Sequence, residues 1–232
     1  MRKDNLGDRM KEYEQAFSFK IPKKHPIIVR VDGKSFHTIT RNMDKPFDKV
    51  FIDCMQETAK YLLKNVQNCL MVYVQSDEIS LLIDDRKTQE TDAFFDNKLN
   101  KIVSITSSMA TMKFNNRLIF SHCIDKQAMF DSRAFILSDI EIPNYFLWRM
   151  KDWERNSIQM LARSLYSAKE LHKKNRKDLH GLMFKKGVNW AKIQPHLRNG
   201  TIFYKDNRDI VSVSRKFDYT KLKNFIKKIR EV

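Results

Sequence analysis

Short apolar runs bounded by turn-forming residues mark the predicted strands. Residues 27–31 are almost entirely β-branched and lie between a proline and a glycine, which predicts a buried strand. Residues 70–83 hold two apolar runs on either side of Ser76-Asp77-Glu78, which predicts an antiparallel hairpin with its turn at these polar residues. Weaker patterns predict a strand at residues 133–137 and a second hairpin at residues 200–214.

Apolar residues spaced three and four positions apart predict the helices. Residues 47–66 carry one broad apolar face, and residues 219–231 carry another, which Asp218 is placed to cap. The predicted helices are residues 6–17, 47–66, 91–113, 143–166 and 219–231, with shorter basic helices between about residues 168 and 186.

The order of these elements indicates an α+β fold. Strands and helices alternate through about residue 137 with mostly antiparallel pairing, which suits a ferredoxin-like or polymerase-palm sheet with helices packed on one face. We expect residues 1–137 to form a palm-like catalytic core and residues 138–232 to form a helical and hairpin extension packed on it. No shift in composition marks this boundary, so a single domain is the alternative.

Composition narrows the class of protein. Hydrophobic residues make up 42% of the 232 residues, enough for a substantial core and too many for a wholly disordered chain. No apolar run approaches the roughly 20 residues that span a bilayer, and the charged N-terminal segment lacks the apolar region of a signal peptide. We therefore expect a cytoplasmic or nuclear protein that does not bind membranes, with an organellar location left open. Cys54, Cys69 and Cys123 have no paired spacing and are predicted to be reduced core thiols.

The charge balance points to a polyanionic partner. The chain has 44 lysines and arginines against 28 aspartates and glutamates, a formal net charge of +16. Nucleic acid is the first candidate. A basic protein without such a partner is the alternative, because the basic residues are spread along the chain.

Two aspartates carry the candidate chemistry. Asp32 ends the first predicted strand and Asp77 lies in the turn of the first hairpin, so one sheet could bring them side by side. Magnesium prefers oxygen ligands and typically takes one or two protein carboxylates, leaving other positions to water and phosphate. Taken singly, an Asp-Gly pair or a Ser-Asp-Glu run is usually an ordinary turn. Their strand context and the net charge together favour a divalent-metal site.

The residues that follow Asp32 suit a triphosphate. Residues 33–37 would present backbone N–H groups to phosphate oxygens, and Gly33 would let the backbone approach closely. Arg30 and Lys45 would neutralise phosphate charge, with a proline after Lys45 holding it in an extended conformation. The combination favours phosphoryl transfer assisted by two metal ions.

Five motifs in order resemble those of the tRNA(His) guanylyltransferase family. They are Val29–His37, Lys45–Asp48, Gln75–Ser80, Phe130–Arg133 and Tyr145–Arg149. The resemblance covers most of residues 1–166 and is weaker over residues 167–232. It implies a polymerase-like palm that adds nucleotides in the 3′–5′ direction. The 3′-hydroxyl of an incoming nucleoside triphosphate would attack an activated phosphate at the 5′ end of a tRNA.

The resemblance also implies roles for individual residues. Asp32 and Asp77 would be the catalytic pair and would bind two Mg²⁺ ions together with the carbonyl of Gly33. ATP or GTP would serve as activating and incoming nucleotides. Glu78 is a weaker candidate for the same site, and Arg30 is a possible member only because its charge suits phosphate. The implied nucleotide-binding residues are Asp32, Gly33, Lys34, Ser35, Phe36, His37, Lys45, Asp48, Ser76 and Asp77. The implied assembly is a homotetramer, usually a dimer of dimers.

One departure from the family pattern bears on the substrate. Members devoted to tRNA(His) carry a His-Ile-Asn-Asn-Leu-Tyr-Asn run shortly after the Trp-Arg pair, whereas this chain has residues 152–160 of different sequence there. The chain therefore resembles the "like-protein" branch, which restores missing 5′ nucleotides of tRNAs by copying the opposite strand. A strict tRNA(His) guanylyltransferase, a palm-type nucleotidyl cyclase and a non-catalytic RNA-binding module are the alternatives.

Candidate RNA contacts lie in the second half of the chain. Basic and polar residues after the Trp-Arg pair and in the run from residue 172 are predicted to meet tRNA, with a solvated helix face as the alternative. These residues are Arg155, Asn156, Lys173, Lys174, Arg176 and Lys177. Trp148, Trp153 and Trp190 could stack on bases, but core packing is the expected use of Trp148.

Overall fold

The structure, a computed structural model, describes residues 5–122, 127–207 and 209–231. Within these residues six strands form one antiparallel sheet: β1 (Ile27–Gly33), β2 (Cys69–Gln75), β3 (Glu78–Ile83), β4 (Phe130–Ile136), β5 (Thr201–Asp206) and β6 (Asp209–Val213). Their order across the sheet is β4-β1-β3-β2-β5-β6. The first four strands thus have the predicted ferredoxin-like arrangement.

The helices lie between and after the strands. They are α1 (Leu6–Gln15), α2 (Phe36–Ile39), α3 (Lys49–Asn65), α4 (Leu99–His122), α5 (Glu141–Arg163), α6 (Ala168–Leu171), α7 (Arg176–Lys185), α8 (Pro195–Asn199) and α9 (Tyr219–Arg230). Among the described residues, no helix is both long and apolar enough to cross a bilayer.

Helices cover both faces of the sheet. Side chains of β1 alternate between two cores, so that Val29 and Val31 pack with α3 and α4 while Ile28 packs with α5 and α9. Because β1 is buried on both faces, its sequence is a continuous apolar run and does not alternate with polar residues. The helices predicted on one face, α3 and α4, are therefore joined on the opposite face by two helices from the later part of the chain.

The later part of the chain also extends the sheet. β5 pairs with β2 from Val74 opposite Thr201 to Met71 opposite Tyr204, and β6 pairs with β5. The hairpin predicted at residues 200–214 thus belongs to the central sheet. The described residues beyond 138 share the sheet and one core with the residues before it, and the boundary near residue 138 stays a prediction.

Two observed elements begin at different places from the predicted ones. The helix predicted for residues 91–113 begins only at Leu99, because positive φ angles at the three residues Phe95–Asn97 interrupt the helical backbone. The strand predicted from residue 133 already begins at Phe130, which lies opposite Gly33 of β1. Neither shift changes the order of the elements.

Two of the three cysteines lie in the described residues. Cys54 and Cys69 are free and buried, as predicted, and Cys123 lies outside the described residues. Burial raises the pKa of the Cys54 thiol to about 11 and that of the Cys69 thiol to about 12. Both thiols are therefore protonated at neutral pH and chemically inert.

Asp139, just before α5, joins three parts of the fold through ion pairs. Its carboxylate accepts hydrogen bonds from Arg86 at 2.9 and 3.0 Å and from Arg230 of α9 at 2.8 Å. The hydrogen bonds from Arg86 hold the pKa of Asp139 well below its usual value, burial opposes this effect, and Arg230 lowers the pKa further.

We expect Asp139→Asn to lower the free energy of unfolding at neutral pH by about 1 kcal/mol, because half-exposed ion pairs are strongly screened. A carboxylate whose pKa is depressed in the folded state contributes fully above its unfolded pKa, about 4, and loses that contribution as the pH falls through the folded value. Urea unfolding at several pH values should therefore show a difference between wild type and variant that shrinks below about pH 4. A difference that stays constant on acidification would contradict this assignment.

Candidate active site

The sheet brings two aspartates to one end of neighbouring strands. Asp32 of β1 lies opposite Glu78 of β3, and Asp77 lies in the turn between β2 and β3. The backbone N–H of Gly33 donates to the Asp77 carbonyl at 3.0 Å, which ties the end of β1 to this turn. Ser76 has a positive φ of 46°, which lets the chain reverse direction within two residues. The two residues predicted as a catalytic pair are therefore neighbours in the fold.

The charge environment of this pair suits a divalent cation. Burial raises the pKa of Asp77 above its usual value, and the charge of Asp32 raises it further, while hydrogen bonds from its own backbone and from Ser76 oppose the rise. A cation bound by both carboxylates would offset the cost of burying the Asp77 charge and the repulsion between Asp77 and Asp32. No group of three or more histidine, cysteine or acidic side chains arranged for a metal occurs among the described residues. Two carboxylates and a nearby backbone carbonyl fit Mg²⁺, which takes one or two protein carboxylates.

Gly33 has no room for a side chain. A Cβ atom there would lie 2.3 and 2.5 Å from ring atoms of Phe36 and 2.9 Å from Cβ of Asp77. We expect Gly33→Ala to displace Asp77 and to lower the free energy of unfolding by about 1–3 kcal/mol, the usual range for overpacking.

The matched control is Gly181→Ala in α7, where a Cβ atom would meet nothing within 4 Å. Alanine is favoured over glycine inside a helix, so this variant should be more stable by about 0.5–1 kcal/mol. Thermal unfolding of both variants is the measurement. If the Gly33 variant were as stable as wild type, the loop after β1 could move to accept a side chain without lowering the free energy of unfolding.

The loop after β1 is anchored by its backbone and by one aromatic ring. The N–H groups of Gly33 and Lys34 donate to the carbonyls of Asp77 and Met129 at 3.0 and 2.8 Å. The buried ring of Phe36 packs against Phe51, Phe114 and Phe130. The prediction that residues 33–37 present backbone N–H groups to a triphosphate therefore depends on Ser35, Phe36 and His37, because the first two donors are already bonded within the protein. Only the amides after Lys34 remain candidates.

A pocket of about 210 Å³ lies beside Asp77, between α3, α5, α8 and the end of β2. Six of the predicted nucleotide-binding residues line it: Phe36, His37, Lys45, Asp48, Ser76 and Asp77. The other four, Asp32, Gly33, Lys34 and Ser35, lie outside this lining, at and just after the end of β1. The pocket also includes Trp153, which the sequence indicated only as a residue that could stack on bases, and His196, which no sequence pattern indicated.

Asp48 shapes this pocket through its backbone contacts. One carboxylate oxygen accepts from the N–H of Phe51 at 2.8 Å and caps α3, and the other accepts from the N–H of Asp44 at 3.0 Å. Both oxygens therefore hold the loop that carries Lys45. The exposed Lys45 ammonium donates to the Thr40 carbonyl at 2.6 Å, and the bond between Lys45 and its following proline is cis.

Glu78 has a buried partner. Its carboxylate accepts hydrogen bonds from Arg149 of α5 at 2.7 and 2.5 Å, and both side chains are less than a tenth exposed. Burial lowers the pKa of Arg149, but Glu78, Asp152 and Tyr145 together raise it by more, so the guanidinium stays charged. This ion pair fixes α5 on the sheet beside Asp32, which gives Glu78 a structural role.

A second cavity, of about 600 Å³, lies between α5, α7 and the residues before α9, and we call it the basic groove. Seven basic side chains line it: Lys151, Arg155, Lys174, Arg176, Arg198, Arg215 and Lys216. Glu154 is the acidic residue of this lining, and it pairs with Arg176 and Lys216. The basic groove therefore keeps a large excess of positive charge.

The basic groove collects only some of the predicted RNA contacts. Arg155, Lys174 and Arg176 line it, whereas Lys173 and Lys177 are exposed outside its lining. Asn156 is half-buried and donates to Asp152 at 3.4 Å. Four lining cations were not predicted, because they come from three separate segments and none belongs to a longer basic run: Lys151, Arg198, Arg215 and Lys216.

The three tryptophans differ from expectation. Trp153 and Trp190 are buried, with 5% and 8% of their surface exposed, whereas Trp148 is 53% exposed. The expectation that Trp148 packs in the core is therefore wrong. On α5 the neighbouring positions Tyr145 and Arg149 face the sheet, which leaves Trp148 at the margin of that contact.

A palm-like antiparallel sheet with two aspartates at one end and a pocket beside them defines a class of nucleotidyltransferases. Residues 7–138 match the sequence model described as Thg1, tRNAHis guanylyltransferase. The chain belongs to this family, the Thg1 and Thg1-like nucleotidyltransferases. The match covers more than half of the chain and includes both aspartates.

Relatives and solved structures agree with this membership. The chain is similar to a bacterial tRNA(His) guanylyltransferase (Thg1)-like protein in complex with ATP, with 38% identity, a TM-score of 0.92, and coverage of 98% of this chain and 100% of that one. A second structure, of a bacterial tRNA(His) guanylyltransferase (Thg1)-like protein in complex with GTP, gives 32% identity and a TM-score of 0.83, with coverage of 98% of this chain and 100% of that one. The tRNA(His) guanylyltransferase of Debaryomyces hansenii is 26% identical over 91% of this chain and 81% of its own length.

Proposed function

We propose that this protein adds nucleotides to the 5′ end of truncated tRNAs in the 3′–5′ direction, copying the opposite strand. The observation that carries the proposal is that Asp32 and Asp77 lie at the same end of the sheet, next to a pocket of about 210 Å³. The similarity to Thg1-like proteins bound to ATP and GTP supports nucleoside triphosphates as substrates.

The reaction joins two substrates at the aspartate pair. The 3′-hydroxyl oxygen of the incoming nucleotide attacks the activated 5′ phosphorus of the RNA and gives up its proton to water, and the bond from that phosphorus to its activating group breaks. That group leaves as pyrophosphate from a 5′-triphosphate, or as AMP from a 5′ end activated by ATP. Asp32, Asp77 and the Gly33 carbonyl would hold two Mg²⁺ ions. When bound, these ions supply positive charge for the attacking and leaving oxygens. Lys45 and the amides after Lys34 bind the triphosphate, and the pocket residues hold the rest of the nucleotide.

The basic groove supports tRNA as the second substrate. Its cations come from α5, α7, α8 and the segment before α9, and they form one surface for RNA phosphates. We expect tRNA affinity to fall about tenfold or more between 50 and 200 mM salt in wild type, and to fall less steeply in a Lys174→Ala/Arg176→Ala variant. Filter binding over a salt series is the measurement. An equal dependence of tRNA affinity on salt in both proteins would show that these two side chains do not contact tRNA phosphates.

The family branch and the oligomeric state are proposed from the resemblance to the family. The like-protein branch is supported by residues 152–160, which replace the run typical of enzymes devoted to tRNA(His). A homotetramer built as a dimer of dimers follows the family pattern. The alternative function is strict guanylyltransferase activity on tRNA(His), which the names of curated relatives favour.

Labelled-nucleotide incorporation tests the proposal. Purified protein is given tRNAs shortened by one 5′ nucleotide, with either a 5′-monophosphate or a 5′-triphosphate, in the presence and absence of ATP. Templated addition to several tRNAs supports repair, and addition only to tRNA(His) supports the strict enzyme. A cyclic nucleotide formed without RNA would identify a cyclase, and RNA binding without any product would identify a binding module.

A further inference from the structure

Trp148 is an exposed aromatic side chain with a rigid support. Its ring centroid lies 4.5 Å from the guanidinium carbon of Arg149 and 5.9 Å from the ring centroid of Tyr145. Arg149 is held by Glu78 at 2.7 and 2.5 Å, and the Tyr145 hydroxyl lies 2.8 Å from the Ser80 hydroxyl. Two side chains bonded to β3 therefore fix an indole ring that is still 53% exposed.

This support places Trp148 close to the aspartate pair. Glu78, which holds Arg149, lies directly opposite Asp32 in the sheet. Asp77 lines the pocket beside α3, whereas Asp32 does not. The indole therefore stands on the α5 side of the reacting position, where a second substrate has to approach.

Two arginine side chains, Arg30 and Arg133, lie on the sheet surface on this side. Arg30 lies two residues before Asp32 on β1 and so faces the same side of the sheet. Its Nε atom is buried and has no hydrogen-bond partner within the described part of the chain. On β4, Arg133 is half-exposed and lies 4.0 Å from Asp32 and 3.0 Å from Asp131. Such donors suit a phosphate next to the indole.

Trp148 also lies in line with the basic groove. Lys151 and Arg155 follow it on α5 at spacings of three and four residues, so all three side chains occupy one stripe of the helix. Lys151 and Arg155 line the basic groove. An RNA strand whose phosphates lie in that groove therefore meets Trp148 on the way to Asp32.

We propose that Trp148 is the stacking platform for the base at the 5′ end of the RNA substrate, with Arg30 and Arg133 receiving the adjoining phosphate. The proposal rests on the proposed function and names the RNA side of the same site. Stacking on an indole is tolerant of base identity, which suits an enzyme that extends several different sequences. Trp148 is a positioning residue that aligns the 5′ end.

Two measurements test the platform. The first is KM for a 5′-truncated tRNA and KM for the nucleoside triphosphate in wild type, Trp148→Ala and Trp148→Phe. We expect the alanine variant to raise KM for RNA by about 5- to 100-fold, with KM for the triphosphate unchanged and the phenylalanine variant close to wild type. The control is Phe184→Ala in α7, an aromatic side chain of similar exposure, 57%, which should change neither constant.

The second measurement does not need catalysis. Because Trp153 and Trp190 are buried, quenching of tryptophan fluorescence by a short 5′-phosphorylated RNA reports on Trp148. We expect wild type to show this quenching and Trp148→Phe to lose it. Quenching that persists in Trp148→Phe, or an unchanged KM for RNA in Trp148→Ala, would overturn the platform while leaving nucleotide addition intact.

A subunit contact is the competing use of an exposed tryptophan. Size-exclusion chromatography of Trp148→Ala distinguishes RNA stacking from a subunit contact. If Trp148 only stacks on RNA, its loss leaves the oligomeric state unchanged. A shift to a smaller species would overturn the proposal. If wild type incorporates no nucleotide at all, the proposed function fails, and the fluorescence titration still decides whether RNA stacks on Trp148.

Discussion

Asp32→Asn or Asp77→Asn is expected to reduce nucleotide incorporation by about 1,000-fold or more, because charge stabilisation by bound metal supplies several kcal/mol to phosphoryl transfer. Asparagine keeps the shape of each side chain and removes the charge that holds the cation. RNA affinity should stay close to wild type, since the basic groove is formed by other residues. Single-turnover incorporation and filter binding, measured on the same preparations, give the two quantities.

Stability measurements separate lost chemistry from lost folding. Burial and the charge of Asp32 both raise the pKa of Asp77, so its ionised form is unfavourable in the folded protein. Asp77→Asn should therefore melt at or above the wild-type temperature. The matched control is Asp53→Asn on α3, whose carboxylate pairs only with Lys49 on the surface, at 2.6 Å, in the described structure. Wild-type incorporation by either site variant would rule out the catalytic pair.

Arg149→Leu is expected to lower the free energy of unfolding by about 3–5 kcal/mol, the usual cost of leaving one member of a buried ion pair without its partner. The Glu78 carboxylate would then be buried without its two donors. The folded protein would bind a proton there more readily than the unfolded chain does. The difference in the free energy of unfolding between Arg149→Leu and wild type should therefore become smaller as the pH is lowered to about 4. Urea unfolding at pH 7 and pH 4 measures both effects.

A double variant tests whether Arg149 and Glu78 are energetically coupled, and a second ion pair serves as the control. Arg149→Leu combined with Glu78→Gln removes both charges, so it should be less destabilised than the sum of the single variants. Lys60→Met breaks a half-exposed pair with Glu57 at 2.8 Å and should cost less than about 1 kcal/mol. Additive losses in the double variant would show that the 2.7 and 2.5 Å contacts do not couple the two residues energetically.

The fold could be predicted from sequence where local pattern and long-range pairing agree. The continuous apolar run of β1 and the polar turn between β2 and β3 predicted two neighbouring strands, and the register of Asp32 with Glu78 confirms this. The family, predicted from five ordered motifs, is also confirmed. The metal-binding and nucleotide-binding roles of the predicted site residues stay predictions.

The remaining features depend on contacts between distant segments. The bidentate pair of Glu78 with Arg149 joins residues 71 positions apart, and no local pattern marks it. The exposure of Trp148 follows from how α5 is rotated on the sheet, since Tyr145 and Arg149 take the inward positions. The basic groove gathers cations from four separate segments, so a search for charged runs found only part of it. The left-handed residues Phe95–Asn97 carry no glycine that would have signalled the late start of α4.

The pairing of β5 with β2 has a practical consequence for anyone who shortens this protein. A fragment cut near residue 138 would contain both aspartates but would leave β2 as a bare outer strand, with its backbone N–H and C=O groups ready to join another molecule. It would also lose α5 and α9, which cover one side of the sheet. Such a fragment should precipitate on expression, so the segment that bears the chemistry depends on the C-terminal segment for solubility.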